Sequence, residues 1–141
     1  MADTTYVVPL PNYVLGCDVS AWNKYDTNTT GLNWKKAYDN GIRFAFLRAM
    51  AFAGTTPKKD RDIELNWKQT KENGILRGGY VFWVWLKDVK SHMDVLKTIY
   101  PNSYDGDLPL VLDLEPYAAW GSYPTKEKLL LGMQQLMIAM D

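Results

Sequence analysis

The chain has 141 residues, of which 47% are hydrophobic and 23% are charged, a balance typical of a globular domain and not of a disordered segment. Sixteen basic and sixteen acidic side chains cancel, so no basic field exists to attract nucleic acid or anionic lipid. A single cysteine, Cys17, excludes an intrachain disulfide, and together with a single histidine, His92, it argues against a zinc site, so we expect no metal and no cofactor.

The N-terminal segment lacks the features of a secretory signal. It has no basic region, and Pro9, Pro11 and Asn12 interrupt its apolar stretch. No apolar run in the sequence approaches the roughly 18 residues of a membrane span. We therefore expect synthesis in the cytoplasm, with no membrane partner.

Strand-like and helix-like segments alternate along the chain. The sequence predicts buried strands at residues 13–19, 42–50, 75–86 and 108–115. It predicts helices at residues 34–39, 62–73, 87–100 and from residue 124 onward, and a loop at residues 51–60. Asn33 is the expected cap of the first helix, and the Gly78-Gly79 pair indicates a close backbone approach or a bulge.

This alternation predicts an α/β fold with a parallel sheet, as in a barrel or a doubly wound domain. The phosphate-binding patterns G-x-G-x-x-G and G-x-x-x-x-G-K-S/T are absent, which favours a barrel-type enzyme over a nucleotide-binding domain. A complete eight-stranded barrel needs about 250 residues. We therefore predict a single domain over residues 1–141 that forms a partial, TIM-like (β/α) barrel, about half of the whole.

Three acidic residues stand at predicted strand ends, where the functional face of a parallel α/β fold lies. Asp18 closes the first strand, and Asp113 and Glu115 close the fourth, where alternation puts both on one face, with about 6.5–7 Å between their Cα atoms. Two adjacent carboxyls suit acid and base work on one glycosidic bond, because crowding keeps a proton on one of them. The alternative is that such a pair binds water, a cation or a helix end.

Aromatic residues make up 13% of the chain, with six Trp and nine Tyr. Such a surplus is typical of a groove for flat, amphipathic ligands such as sugars, although large core residues explain part of it. Trp83, Trp85, Tyr117 and Trp120 are candidate sugar-stacking residues, with core packing as the alternative for at least two of them. We expect His92 on the surface, and Cys17 pointing away from the site as a small buried hydrophobe.

Several segments carry a family resemblance. In order and spacing, the chain shows GCDVSAWN, NWKKAYDNGIRFAFLRA, an Asp60-to-Asn66 pair, ENGILRGGYVFW and LPLVLDLEPY. This set resembles family 25 of the glycoside hydrolases, the N-acetylmuramidase (lysozyme) family of bacteria and phage endolysins, over about residues 14–117. The resemblance implies cleavage of the β-1,4 bond between N-acetylmuramic acid and N-acetylglucosamine in peptidoglycan, on an irregular β/α barrel.

The same resemblance implies functions for individual residues. Glu115 matches the general acid, and Asp113 matches its partner, either a nucleophile or the group that orients a substrate acetamido group. Asp18 matches the first-strand carboxylate, which holds the proton of the acid or binds the sugar. Tyr80 matches an aromatic residue near the reaction centre, with a core position as the alternative. Asp60 and Asn66 fit loop and helix-capping positions.

The sequence departs from the family in two places. MAFAGTT replaces an acidic-glycine turn after the second strand, and the family's domain continues for several more strands. We therefore expect a domain truncated on its C-terminal side, which self-associates or binds a complementary chain. As a phage endolysin it would reach the cell wall through a holin. The alternatives are a non-catalytic wall-binding or virion module and an inactive fragment.

Overall fold

The computed structural model describes residues 13–23, 32–115, 121 and 124–140. Strands and helices alternate through these residues as the sequence predicts. The elements are β1 (Leu15–Val19), α1 (Trp34–Asp39), β2 (Ile42–Ala53), β3 (Thr56–Lys59), α2 (Ile63–Glu72), β4 (Leu76–Phe82), α3 (Val89–Ile99), β5 (Val111–Asp113) and α4 (Lys126–Met140).

One sheet contains the five described strands. Four of them run parallel in the order β1-β2-β4-β5, and β3 pairs antiparallel with the end of β2. Each parallel neighbour is reached through a helix, which is the crossover connection that a parallel sheet requires. The predicted α/β class with a parallel sheet is therefore confirmed.

The two faces of the sheet differ in what covers them. On one face Ala45, Leu47 and Val81 are buried, in a core shared with Trp34 of α1, Ile63 of α2 and Leu96 of α3. The opposite face carries Phe44 and Phe46, which are only partly buried. Helices therefore cover one face, and the described residues leave the other partly open.

Gly78 marks a close approach within the sheet. The ring of Phe46 lies over it, and a Cβ atom at this position would come within 2.6 Å of that ring. At Gly79, a Cβ atom would come within 2.7 Å of the Tyr100 hydroxyl. The close backbone approach predicted for this pair is confirmed.

The predicted loop at residues 51–60 is instead largely a β-hairpin. β2 continues to Ala53, and Ala51 and Phe52 pair with Lys58 and Pro57 of β3. Gly54, at the turn, has a φ of 59°, a left-handed conformation that glycine adopts without strain. The Gly and Pro residues that predicted a loop are thus the turn and the strand edge of a hairpin.

The last two predicted strands are shorter than expected. β4 ends at Phe82, and β5 has only the three residues Val111–Asp113. In α4, Leu136 is fully buried, whereas four other large apolar residues are exposed: Leu130, Leu131, Met137 and Ile138. Of the helices described, none combines the length and apolar character needed to cross a membrane.

His92 corrects the expectation of a surface histidine. It lies in α3 and is fully buried. Its Nε2 accepts a hydrogen bond from the Val84 amide at 3.2 Å, and its Nδ1 lies 2.8 Å from the Asp88 carbonyl oxygen. The polar neighbours Lys90, Ser91 and Asp94 suggested exposure, but the ring ties the start of α3 to the segment that follows β4.

Candidate functional site

Four of the predicted site residues line one open pocket of about 430 Å³. Asp18, Tyr80, Asp113 and Glu115 surround it, and the rest of its lining is apolar: Phe46, Val111, Leu112 and Leu114. They come from the carboxyl ends of β1, β4 and β5, together with the residues that follow β5. The structure thus brings together the strand-end acids and the tyrosine that the sequence analysis selected.

The strand register explains this convergence. Asp18 pairs with Phe46, Arg48 pairs with Tyr80, and Phe82 pairs with Asp113. Paired residues of a parallel sheet share a face, and residues two apart on one strand do so as well. The ends of four neighbouring strands therefore present their polar side chains to the same side, opposite the helix-covered core.

Asp113 is the carboxyl whose environment favours a bound proton. Its pKa is raised first by burial, then by the negative charges of Glu115 and Asp18, and Arg48 offsets part of the rise. A hydrogen bond with Glu115 acts in the same direction as burial, because it favours the protonated form of Asp113. Asp113 therefore retains a proton more readily than an isolated aspartate.

Tyr80 faces the same cluster with its hydroxyl protonated. Burial raises its pKa to about 12, and the nearby charges of Asp18, Asp113 and Asp60 add to the rise while Arg48 opposes it. At neutral pH the hydroxyl is therefore available as a hydrogen-bond donor to a ligand in the pocket.

An ion pair that the sequence analysis missed lies beside this pocket. Arg48 Nε is 2.7 Å from Asp60 Oδ2, and the two side chains are 12% and 1% exposed. Asp60 also accepts hydrogen bonds from the Ala21 amide at 3.2 Å and the Asp62 amide at 2.9 Å. The signal was available, because an arginine inside an apolar strand needs a buried partner.

The sequence suggested a helix-capping position for Asn66, and the structure shows that this expectation was wrong. It lies inside α2, where its side-chain oxygen accepts a hydrogen bond from Trp34 Nε1 at 3.0 Å. Asp60 does lie between β3 and α2, in agreement with the expected loop position. Neither residue reaches the pocket that contains Asp113.

A second groove joins the first through Glu115, which lines both. This groove has a volume of about 630 Å³ and runs between the β2–β3 hairpin and Trp22. Trp22 is 85% exposed, and Phe52 and Phe82 form a ring pair in the groove with centroids 4.9 Å apart. A ligand longer than the first pocket could therefore continue along the protein surface.

The structure describes two of the four predicted sugar-stacking aromatic residues, Trp83 and Trp85. Trp83 is only 4% exposed and packs against Gly132 of α4, so the structure favours its core alternative. Trp85 is partly buried. Tyr117 and Trp120 lie outside the described residues. Trp22, which the sequence analysis did not select, lines the groove that contains Glu115 and is far more exposed than Trp83.

Cys17 does not line the carboxylate pocket. It is partly buried and packs against the helix-covered core, as strand alternation predicted. Burial, with a smaller effect from the charge of Asp18, raises the pKa of its thiol and disfavours the reactive thiolate. Within the described ranges, no cluster of three or more His, Cys, Asp and Glu residues has the arrangement of a metal site.

Solved structures with a similar fold support the barrel assignment. A family 25 glycosyl hydrolase from Bacillus anthracis matches 89% of this chain and 54% of its own, with a TM-score of 0.70 and 21% identity. A muramidase from Acremonium alcalophilum matches 89% of this chain and 58% of its own, with a TM-score of 0.63 and 21% identity. A family GH25 lysozyme from Aspergillus fumigatus gives the same coverages and TM-score at 18% identity.

A protein of Escherichia coli is similar to this chain in sequence. The protein YegX of Escherichia coli (strain K12) is 32% identical over 118 residues, which cover 77% of this chain and 38% of YegX. The chain thus spans less than half the length of this relative and just over half the length of the similar structures. The model of the glycosyl hydrolases family 25 matches residues 17–139. Because that match extends over most of the sequence, the chain belongs to glycosyl hydrolase family 25.

Proposed function

We propose that this chain supplies the carboxylate site of a peptidoglycan hydrolase that cleaves the β-1,4 bond between N-acetylmuramic acid and N-acetylglucosamine. The observation that carries the proposal is the Asp113–Glu115 pair, whose two carboxyls line one pocket and whose proximity helps to raise the pKa of Asp113. Glycoside hydrolysis needs one carboxyl that donates a proton to the leaving oxygen and a second that carries negative charge. The pair meets both requirements with one proton.

Glu115 is the proposed general acid, and Asp113 is the proposed nucleophile or the group that orients a substrate acetamido group. In the free protein, however, the raised pKa belongs to Asp113. The two statements are compatible because a proton can move between neighbouring carboxyls. Transfer of the proton of Asp113 to Glu115 would make Glu115 the donor and leave the negative charge on Asp113.

Tyr80 and Asp18 are proposed to hold the sugar at this pair. Tyr80 supplies a protonated hydroxyl, and Asp18 supplies a carboxylate on the neighbouring strand end, both in the pocket of the acids. Such contacts would fix the sugar ring relative to the acid, which accelerates a reaction by avoiding reorganisation at the transition state.

The identity of the sugar at the new reducing ends of the products shows which glycosidic bond is cleaved. Purified bacterial cell walls would be incubated with the full chain, the new reducing ends would be reduced with borodeuteride, and the sugars would be identified after acid hydrolysis. We expect labelled muramicitol, the reduced form of muramic acid, to accumulate as turbidity falls. Labelled glucosaminitol would contradict the proposed bond, and wall binding without new reducing ends would favour the non-catalytic wall-binding module.

We further propose that another polypeptide, a second copy or a complementary chain, covers the open face of the sheet. Support comes from Phe44 and Phe46, which are partly exposed there, and from Val111 at 39% exposure beside the acids. Activity per molecule should then rise with protein concentration or with added partner. Sedimentation and lysis across a roughly hundredfold dilution would test this. A compact monomer with constant specific activity at every concentration would contradict it.

The proposed setting is a phage endolysin that reaches the cell wall through a holin. Its support is the resemblance of residues 14–117 to the muramidase family of bacteria and phage endolysins. Expression of the chain alone should leave bacterial cells intact, and co-expression with a holin should lyse them. Lysis without the holin would argue against this setting, without bearing on the chemistry of the site.

A further inference from the structure

The β2–β3 hairpin builds a wall that the catalytic proposal does not use. Its strand β3 pairs with β2 so that Lys58 stands directly opposite Ala51, and both residues line the groove that Glu115 shares with the carboxylate pocket. Residues opposite one another in an antiparallel pair project from the same face. The hairpin therefore carries Lys58 to the groove as a direct result of its register.

The groove has the chemistry of a saccharide site with an anionic substituent. Its volume of about 630 Å³ lies within the ~300–1,000 Å³ of typical ligand clefts. Exposed Trp22 offers a flat face of the kind on which sugar rings stack, and Phe52 with Phe82 supplies an apolar surface. The groove shares Glu115 with the carboxylate pocket, so a glycan strand that passes Glu115 contacts both.

The other basic residues of the groove each form an ion pair with a carboxylate, and within the described ranges Lys58 does not. Arg48 pairs with Asp60 at 2.7 Å, Lys59 pairs with Glu64 at 2.6 Å, and Arg61 pairs with Asp62 at 2.9 Å. Among the residues that the structure describes, no carboxylate forms an ion pair with Lys58, which is exposed. Its ammonium group is therefore a positive charge still available to a ligand.

We propose that this groove is a glycan subsite in which Lys58 binds a carboxylate carried by the peptidoglycan strand. The inference rests on the proposed function for the bond that is cleaved, but the binding itself does not require hydrolysis. Two parts of peptidoglycan can carry the required group. Muramic acid without a peptide has a free lactyl carboxylate, and muramic acid with a peptide has the carboxylates of the peptide stem, because the amide bond consumes the lactyl carboxyl. A strand of N-acetylglucosamine alone carries neither, so Lys58 would make the groove selective for muramic-acid-containing strands.

Binding can be measured without turnover in the full-length Asp113→Asn chain by calorimetry. Three probes separate the sources: chitotetraose, a peptide-free tetrasaccharide of alternating N-acetylglucosamine and N-acetylmuramic acid, and the same tetrasaccharide with its peptides. We expect at least one of the two acidic probes to bind more tightly than chitotetraose. Preference for the peptide-free probe alone assigns the lactyl carboxylate, and preference for the peptide-bearing probe alone assigns the peptide stem. Preference for both shows that Lys58 binds either carboxylate.

Lys58→Gln should reduce this preference about three- to tenfold, as expected for the loss of an accessible charged contact, and should leave chitotetraose binding unchanged. Lys58→Arg should retain the preference, and raising the salt from about 50 mM to about 500 mM should weaken it. Lys35→Gln, an exposed lysine of α1, is the matched control and should change nothing. Trp22→Ala should weaken all three probes.

Two results would overturn the inference. One is equal affinity of the Asp113→Asn chain for chitotetraose and for both acidic probes. The other is a preference for the acidic probes that does not change when Lys58→Gln is added. Failure of the proposed hydrolysis would look different, because the wild-type chain would then release no reducing ends while the binding preference and its dependence on Lys58 persisted.

Discussion

Asp60 and Arg48 form a buried ion pair that joins three segments beside the candidate site. The carboxylate accepts from Arg48 Nε on β2, from the Ala21 amide after β1, and from the Asp62 amide before α2. A single side chain thus links strand β2, the segment that carries Trp22 and the start of α2. The charge of Arg48 also acts on Asp113 and Tyr80.

Asp60→Asn should destabilise the protein strongly, by about 3–5 kcal/mol, because it leaves Arg48 buried without a compensating charge. Asp39→Asn is the matched control, since Asp39 forms an ion pair of 2.6 Å with Lys35 on the exposed surface of α1. Such exposed pairs contribute at most about 1 kcal/mol. Urea unfolding of both variants provides the comparison, and similar losses in the two would contradict the structural importance of Asp60.

The buried His92 should make stability depend on pH. Burial lowers its pKa from the ordinary value of 6.5, partly offset by the hydrogen bond with Asp88. As the pH falls below that ordinary value, the unfolded chain binds a proton that the folded protein resists, so stability present at neutral pH is lost. Urea unfolding at about pH 7.5 and about pH 5.5 should show a smaller loss for His92→Gln than for the wild type. Equal losses in both proteins would exclude His92 as the cause.

The coupling between the two site carboxyls can be measured directly. Glu115→Gln removes a negative charge that raises the pKa of Asp113, so this pKa should fall in the variant while the contribution of burial remains. Carbon-detected NMR titration of the Asp113 carboxyl would measure the shift. The control is Glu72→Gln, which changes an exposed side chain of α2 and should leave the pKa of Asp113 equal to that in the wild type. An unchanged Asp113 pKa in Glu115→Gln would show that the pair is not coupled.

The parallel sheet and its helices could be predicted because each element carries a local signal. Asn33 caps α1 by accepting a hydrogen bond from the Lys36 amide at 2.8 Å, and glycines follow both α1 and α2. Strand alternation likewise placed Asp18, Asp113 and Cys17 on their correct faces, because a period of two is fixed by backbone geometry.

The errors arose where tertiary contacts outweigh local composition. Residues 51–60 form a hairpin because β3 gains a pairing partner in β2, and a Gly-Thr-Thr-Pro sequence does not encode that partner. His92 is buried because the Val84 amide and the Asp88 carbonyl satisfy its ring, although polar residues surround it in sequence. The Arg48–Asp60 pair joins residues twelve positions apart across a turn, so spacing alone did not reveal it.

Catalysis by the carboxylate pair is tested most directly by the lysis rate of Glu115→Gln on purified cell walls. The substitution keeps the size of the side chain but removes its transferable proton. Glu72→Gln is the surface control for Glu115→Gln, and Asp39→Asn is the surface control for Asp113→Asn. We expect Glu115→Gln to fold normally and to lose about 10²–10⁴-fold in rate, with a comparable loss for Asp113→Asn and none for the controls. A lysis rate in Glu115→Gln equal to that of the wild type would contradict the proposed mechanism.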